Sequence, residues 1–306
     1  MQKIALPKNR AELLALAEHH YNPDLVAINQ AAIEAADFPK GELQLMRSGL
    51  VGNPHFDADP VLTVAFLLAL NAVNHRFWTP PVDGILGRYS YDGKVGAMGW
   101  RTAYQKSWGE KPSLDNFRSA TASVVEMRLN FGELPDMAGR YAIYQEMLAG
   151  SALMHEAEQL VTHFEAGHPV TVDMAAKLAE CFPRAFADPF LKKPQLALAE
   201  IAGHFVEAWK TKFEVLLTAF ADYQVPRVMR GKDIVVYSPE VARLVDNLIL
   251  IPEGSPIEMA IRSATLKGCA KMAAYFEEPD AAIDNFAFLL RKQDFGHFHL
   301  TLTNHY

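Results

Sequence analysis

Helix-start signals recur along this chain. Most stand directly ahead of an apolar stretch with a period near 3.6 residues, which commits the chain to a mainly helical fold. Asn9 with Glu12 has the form of a capping box before "LLALAEHH". Asp59–Pro60 opens "VLTVAFLLALNAVNHRF" with a cap and a proline at the first helical position. Ser238–Pro239–Glu240 opens "VARLVDNLIL", and Ser255–Pro256 opens "IEMAIRSATLKGCAKMAAYF" with Glu258 three residues after the serine. Thr171 and Asp173 are cap candidates for "MAAKLAECF". The same periodicity predicts helices near 24–36, 114–129, 137–166, 194–220 and 279–291. Strand signals are few. "GRYSYDGKVGAMG" alternates around Asp92–Gly93, a two-residue hairpin turn. "DIVVY" (233–237) is a short β-prone run, and the terminal "FHLTLTNHY" alternates. Breaks at 80–87 and 167–169 read as loops. The class is mainly α with a small β-hairpin.

Bulk properties exclude some functions. With 306 residues, half of them hydrophobic, the chain can build one large domain or two smaller ones. Asp and Glu outnumber Lys and Arg by 36 to 29, and Lys192–Lys193 is the longest basic cluster. A nucleic-acid polymer favours a basic stripe, so it is not the expected partner, whereas a mononucleotide remains open. Cys181 and Cys269 lie far apart in helix-like apolar patterns and are expected to be buried small hydrophobes. The N-terminus lacks the apolar region of a signal peptide, and "VLTVAFLLAL" (61–70) is too short to span a bilayer. The expectation is a reduced, cytoplasmic protein. There is no phosphate-binding GxxxxGK[ST] loop, no dinucleotide fingerprint and no GxSxG elbow. "MHEAEQLVTHFEAGH" supplies His155, Glu158, His163 and His168, and "GHFHL" supplies His297 and His299. The expected role of these residues is solvated or core rather than metal-binding, and neither metal nor cofactor is expected.

One acid stands out. In "LTAFADYQVPRVM", Asp222 is flanked by apolar residues on both sides. An ionised carboxylate in such a setting is costly unless it is paired or hydrogen-bonded. It is read either as an N-cap for the helix that follows or as a functional carboxylate.

The segments around it carry a resemblance. "FADYQVP" is followed by "VVYSPEVARLVDN", "IPEGSPIEMAIRSATL" and the terminal "HFHLTLTNHY". Upstream lie "LNAVNHRFW", "GKVGAMGWRTAY", and "CFPRAFAD" leading into "FLKKPQL". This ordered set, from about residue 59 to 306, resembles the queuosine salvage protein family, the queuosine 5′-phosphate N-glycosylases. Residues 1–58 resemble nothing usable and are read as an N-terminal helical segment. The resemblance implies an all-helical architecture related to helix-hairpin-helix DNA glycosylases. It implies hydrolysis of an N-glycosidic bond that releases queuine, a 7-deazaguanine base, for tRNA modification. Asp222 matches the family's catalytic aspartate. Asn74, Phe77 and Trp78 match an "NFxFW" segment whose aromatic faces suit stacking a flat base. Lys193 falls in the family's basic pair, suited to a 5′-phosphate. The hydroxyl of Tyr223 is placed for phosphate or sugar, Arg262 is paired with Glu258 one helical turn earlier, and Tyr306 matches a terminal tyrosine. The chain departs from the family pattern at Asn71, His75, Gln224, Ala260, Leu300 and Leu302. Loss of arginine at a bidentate site changes what it can grip. A non-catalytic queuine- or nucleotide-binding paralogue, and a metal-dependent enzyme built on the 155–168 cluster, are the competing readings.

Overall fold

The computed structural model describes residues 5–39 and 46–306. Among these are sixteen helices and eight short strands, the mainly α architecture expected. The helix Pro60–Ala72 is the central element. Every residue from Thr63 to Ala72 is buried, as an all-round apolar helix must be in a soluble domain. It packs against the helices Ala152–Glu165 and Lys192–Ala208. The helix Pro256–Phe276 forms a second spine, flanked by Arg10–His20 on one side and Asp280–Leu290 on the other. Residues before 59 therefore join the common core: Leu13, Ala17, Val26 and Ile33 are fully buried in it.

Local signals explain most element boundaries. Asn9 Oδ1 accepts the Glu12 N–H at 2.9 Å, and Asp59 Oδ1 accepts that of Leu62 at 2.9 Å. Ser238 and Ser255 cap in the same way, whereas Thr171 makes no side-chain cap bond. Three predicted helices are interrupted. The 24–36 region is a strand, Val26–Ile28, followed by a short helix, Gln30–Ala35, because the strand pairs antiparallel with Val235–Tyr237. The 114–129 region breaks between Ala120 and Val124, and 137–166 breaks between Met147 and Ala152. The 194–220 helix begins at Lys192 and ends at Ala208; a partly exposed stretch with the short strand Val215–Leu216 follows, then a buried non-helical run from Leu217 to Asp222.

The Asp92–Gly93 hairpin joins Ser90–Tyr91 to Lys94–Val95. A second hairpin, read from sequence only as a loop, joins Trp78–Val82 to Ile85–Arg88 through Asp83–Gly84. All four turn residues have positive φ, between 51° and 76°, which the two-residue turns of such hairpins require. The terminal residues make one parallel bridge, Leu250 to Leu300, rather than a strand. Cys269 is buried, but Cys181 is exposed, contrary to expectation. It is the last residue of its helix and falls outside the buried stripe of Val172, Ala175, Ala176, Leu178 and Ala179. No described helix is long and apolar enough to cross a membrane.

Candidate active site

A cavity of about 900 Å³ opens where the start of helix Lys192–Ala208, the 220–224 segment, the Trp78–Arg88 hairpin and the helix Asp280–Leu290 converge. Its size suits a nucleotide-scale ligand.

Asp222 lines it. The non-helical run from Leu217 ends just before the helix Gln224–Gly231, and Asp222 closes that helix start. Its Oδ1 accepts the N–H groups of Gln224 at 2.7 Å and Val225 at 3.0 Å. Oδ2 accepts no hydrogen bond from any described residue. The capping reading of this acid is thus realised on Oδ1.

Asp284 lines the same wall and was not singled out from sequence. Its Oδ1 accepts the Phe220 N–H at 2.8 Å. Burial, and then the charge of Asp222, push its carboxyl well above the usual carboxylate range.

Lys192 and Lys193 occupy the first turn of a helix, where the dipole disfavours cations. Leu191 enters that turn at a positive φ of 51°, a conformation uncommon outside glycine. Only Lys192 lines the cavity. Burial lowers its ammonium from the usual range, against the opposing charges of Asp222, Asp284 and Asp188. Lys193, the lysine expected at the ligand, turns away. Its Nζ donates to the Ala72 carbonyl at 2.7 Å, at the C-terminus of helix Pro60–Ala72, where an exposed carbonyl and the helix dipole favour a cation.

Arg262 does not line the cavity either. It lies behind Asp222 at the centre of a buried ion network. One amino group donates to Asp188 at 2.7 Å, the other to Glu258 at 3.4 Å, and Nε donates to the Ala221 carbonyl at 3.0 Å. The guanidinium is sandwiched by Phe190 and Tyr306, whose ring centroids lie 4.7 and 4.4 Å away. Asp188 also accepts the Lys192 N–H at 2.8 Å. Burial pushes Asp188 up, but the Arg262 cation overrides it and holds the carboxyl below its ordinary range. One arginine thereby fixes both the peptide preceding Asp222 and the aspartate that anchors Lys192. Tyr306 lines the cavity and donates its hydroxyl hydrogen to Glu258 at 2.9 Å, while its carbonyl accepts the Arg76 N–H.

A second part of the lining is aromatic: Phe77, Trp78, Tyr223 and Phe298. The Tyr223 and Phe298 rings lie 4.6 Å apart, and Trp78 and Phe298 lie 6.2 Å apart. The buried Trp78 indole N–H has no hydrogen-bond partner among the described residues. Arg140 holds the backbone turn before Phe77, donating to the carbonyls of Pro135, His75 and Arg76. It also donates to His75 Nε2 at 3.1 Å. His75 Nε2 also lies 3.3 Å from Asp136 Oδ2, and burial, then the Arg140 cation, lowers the imidazole well below its ordinary value. Beneath this wall runs a polar chain. Asn74 donates to Asn71, Asn71 to Glu200 at 3.1 Å, and Arg101 to Glu200 at 2.7 Å.

The structure therefore brings together Asp222, Asn74, Phe77, Trp78, Tyr223 and Tyr306, and it places Lys193 and Arg262 behind the walls. Sequence reading missed Asp284, Lys192, Glu200, Arg101 and the arginines of the mouth, Arg88, Arg227 and Arg291. Seven cationic side chains and four carboxylates line the described cavity, so its charge is opposite in sign to that of the whole chain. Such a surface attracts an anion. At the 155–168 cluster, His163 Nε2 meets the Pro169 carbonyl at 2.9 Å, and the His163 and His168 rings lie 5.3 Å apart. No group of three or more His, Cys, Asp or Glu side chains among the described residues is gathered as a metal site requires.

A family model described as queuosine salvage protein matches residues 54–290. A queuosine 5′-phosphate N-glycosylase/hydrolase of Dictyostelium discoideum is 34% identical over 91 residues, 29% of this chain and 28% of the relative. One of Sphaerobacter thermophilus is 28% identical over 241 residues, 72% of each chain. This chain belongs to the queuosine salvage protein family.

Proposed function

We propose that this protein hydrolyses the N-glycosidic bond of queuosine 5′-phosphate, or of a closely related 7-deazapurine nucleotide, and releases the free base. The observation that carries the reading is Asp222: a buried carboxylate on a cavity wall, with Oδ1 held by two backbone N–H groups and Oδ2 without a hydrogen bond from any described residue.

Cleavage of such a bond builds positive charge at the anomeric carbon. A fixed carboxylate in a site screened from water stabilises that charge more than one in bulk solvent, because the local dielectric is low and nothing need reorganise. One well-placed group of this kind is worth about 3–4 kcal/mol. Its unoccupied oxygen also accepts a proton from the attacking water. The base is sandwiched against the Phe77–Trp78–Phe298 wall, a favourable use of aromatic faces. The 5′-phosphate is drawn by the cationic lining. Lys192 rather than Lys193 is the lysine in reach of the ligand.

The test is direct. Purified protein is incubated with queuosine 5′-phosphate and, separately, with queuosine, and free queuine is followed by mass spectrometry. Release from the nucleotide is expected. Saturable binding of the nucleotide by calorimetry with no release contradicts the reading and identifies a binding protein.

A further inference from the structure

We infer that Asp284 is the proton donor to the departing base, a second catalytic carboxyl with the opposite task to Asp222. This rests on the glycosidic reading above and goes beyond it.

Asp284 interrupts the apolar helix Asp280–Leu290 between Ile283 and Ala287, and is 2% exposed. It nonetheless lines the cavity, beside Asp222 and Lys192. Its Oδ1 accepts one N–H, that of Phe220, two residues before Asp222. Oδ2 accepts no hydrogen bond from any described residue. Asp222 has two N–H donors where Asp284 has one. The ionisable groups facing Asp284 are Asp222 from the 220–224 segment, Lys192 from the helix Lys192–Ala208, and the buried Cys269 thiol from the helix Pro256–Phe276. Burial and the Asp222 charge push Asp284 up; the Phe220 N–H and Lys192 oppose them without restoring the usual range. Beside Asp222, Asp284 is thus the carboxyl whose surroundings favour its protonated form.

The hydrolysis needs both. As the water oxygen bonds to the anomeric carbon, the bond to N9 breaks and its electron pair leaves with the base. Asp284 gives its proton to the base, and Asp222 takes a proton from the water. The products are the sugar phosphate with a hydroxyl at the anomeric carbon and the neutral base. A proton returning from Asp222 to Asp284, directly or through solvent, resets the pair. A 7-deazapurine has carbon where a purine offers N7. The usual ring nitrogen for leaving-group protonation is therefore missing, and an acid fixed near the base becomes the more valuable.

The experiment compares two leaving groups, using queuosine 5′-phosphate and 4-nitrophenyl β-D-ribofuranoside 5-phosphate. Nitrophenolate departs without a proton. Asp284→Asn keeps an acceptor for the Phe220 N–H but holds no acidic proton. It is expected to lower kcat on the deazapurine nucleotide at least ~100-fold, the lower end of what general acid catalysis supplies. The loss on the nitrophenyl substrate is expected to be at least tenfold smaller. Asp222→Asn is expected to lower both alike. The wild-type kcat profile on the deazapurine nucleotide should fall on an alkaline limb, and this limb should be absent from Asp284→Asn. Equal losses on both substrates, or a wild-type profile without the limb, overturn the assignment while leaving the glycosidic reading intact. Wild-type protein inert towards queuosine 5′-phosphate overturns both.

Discussion

On one side of the cavity, Asp222, Asp284 and Lys192 stand in front of a buried ion network. Elsewhere in the lining, Phe77, Trp78 and Phe298 present aromatic faces, with Arg140 tying down only the turn before Phe77. The charged wall is over-determined: Arg262 holds the peptide before Asp222, Asp188 holds the backbone of Lys192, and Asp284 holds that of Phe220. Such a network is weak evidence for stability, since apolar residues often fill the same volume at no loss. Its consequence is precision of placement, which electrostatic catalysis requires. The aromatic wall needs area rather than precision, and it tolerates an orphaned indole N–H at Trp78. The contrast teaches that damage to the first wall should appear in turnover or in folding, and damage to the second in binding.

The largest effect expected is on folding. Arg262→Met strands the buried carboxylates Asp188 and Glu258, and breaking a buried pair on one side costs about 3–5 kcal/mol. Urea unfolding measures it. A loss below about 1 kcal/mol would show that the network does not hold this wall. Next comes Asp222→Asn, expected to lower kcat by about 10²–10³ while leaving KM within a few-fold. Its melting temperature should stay near that of the wild type, because the amide oxygen still accepts from Gln224 and Val225. Trp78→Ala tests the other wall. It is expected to raise KM by about tenfold or more, in keeping with about 1–3 kcal/mol for a stacked base, with a smaller change in kcat.

A further effect is a pH dependence of stability. His299 is buried beside Arg262, and burial followed by that cation lowers it from 6.5 to about 3. Between those values the unfolded chain binds a proton that the folded chain refuses, so stability falls as pH drops through that window. The slope is at most about 1.4 kcal/mol per pH unit for one histidine. His75 acts in the same direction. Asp284 and Glu258, both pushed up mainly by burial, carry the opposite sign, since protonation favours their folded state. Thermal melts of His299→Phe against wild type across pH 4–7 isolate the histidine, and the variant's curve should be flatter.

Local chemistry made part of this legible. Asn9, Asp59, Ser238 and Ser255 announced helix starts because a cap acts within three residues of itself. Asp92–Gly93 announced a hairpin, and Asp83–Gly84 carried the same signal but lay among prolines that read as a loop. Asp222 was visible as a lone acid in an apolar run. Asp284, in "AAIDNFAF", has the same signature, but helix periodicity accounts for its neighbours and hides it. Lys192 and Lys193 could not be ranked from sequence. Adjacent helical residues point about 100° apart, and which of them faces a cavity depends on how the helix Pro60–Ala72 docks. Glu200 and Arg101 are 99 residues apart, and their meeting is a tertiary fact that no local pattern records.

The central claim, that Asp222 neutralises a sugar cation as it forms, is tested most directly by binding rather than turnover. An iminoribitol 5-phosphate, cationic at physiological pH, mimics the oxocarbenium-like sugar; its tetrahydrofuran counterpart has the same shape without the charge. Calorimetry should give the cationic compound at least ~100-fold lower Kd on the wild type, in line with transition-state mimicry, and most of that preference should vanish in Asp222→Asn. Equal affinity for the two compounds on the wild type, or a preference that survives the substitution undiminished, would contradict the account.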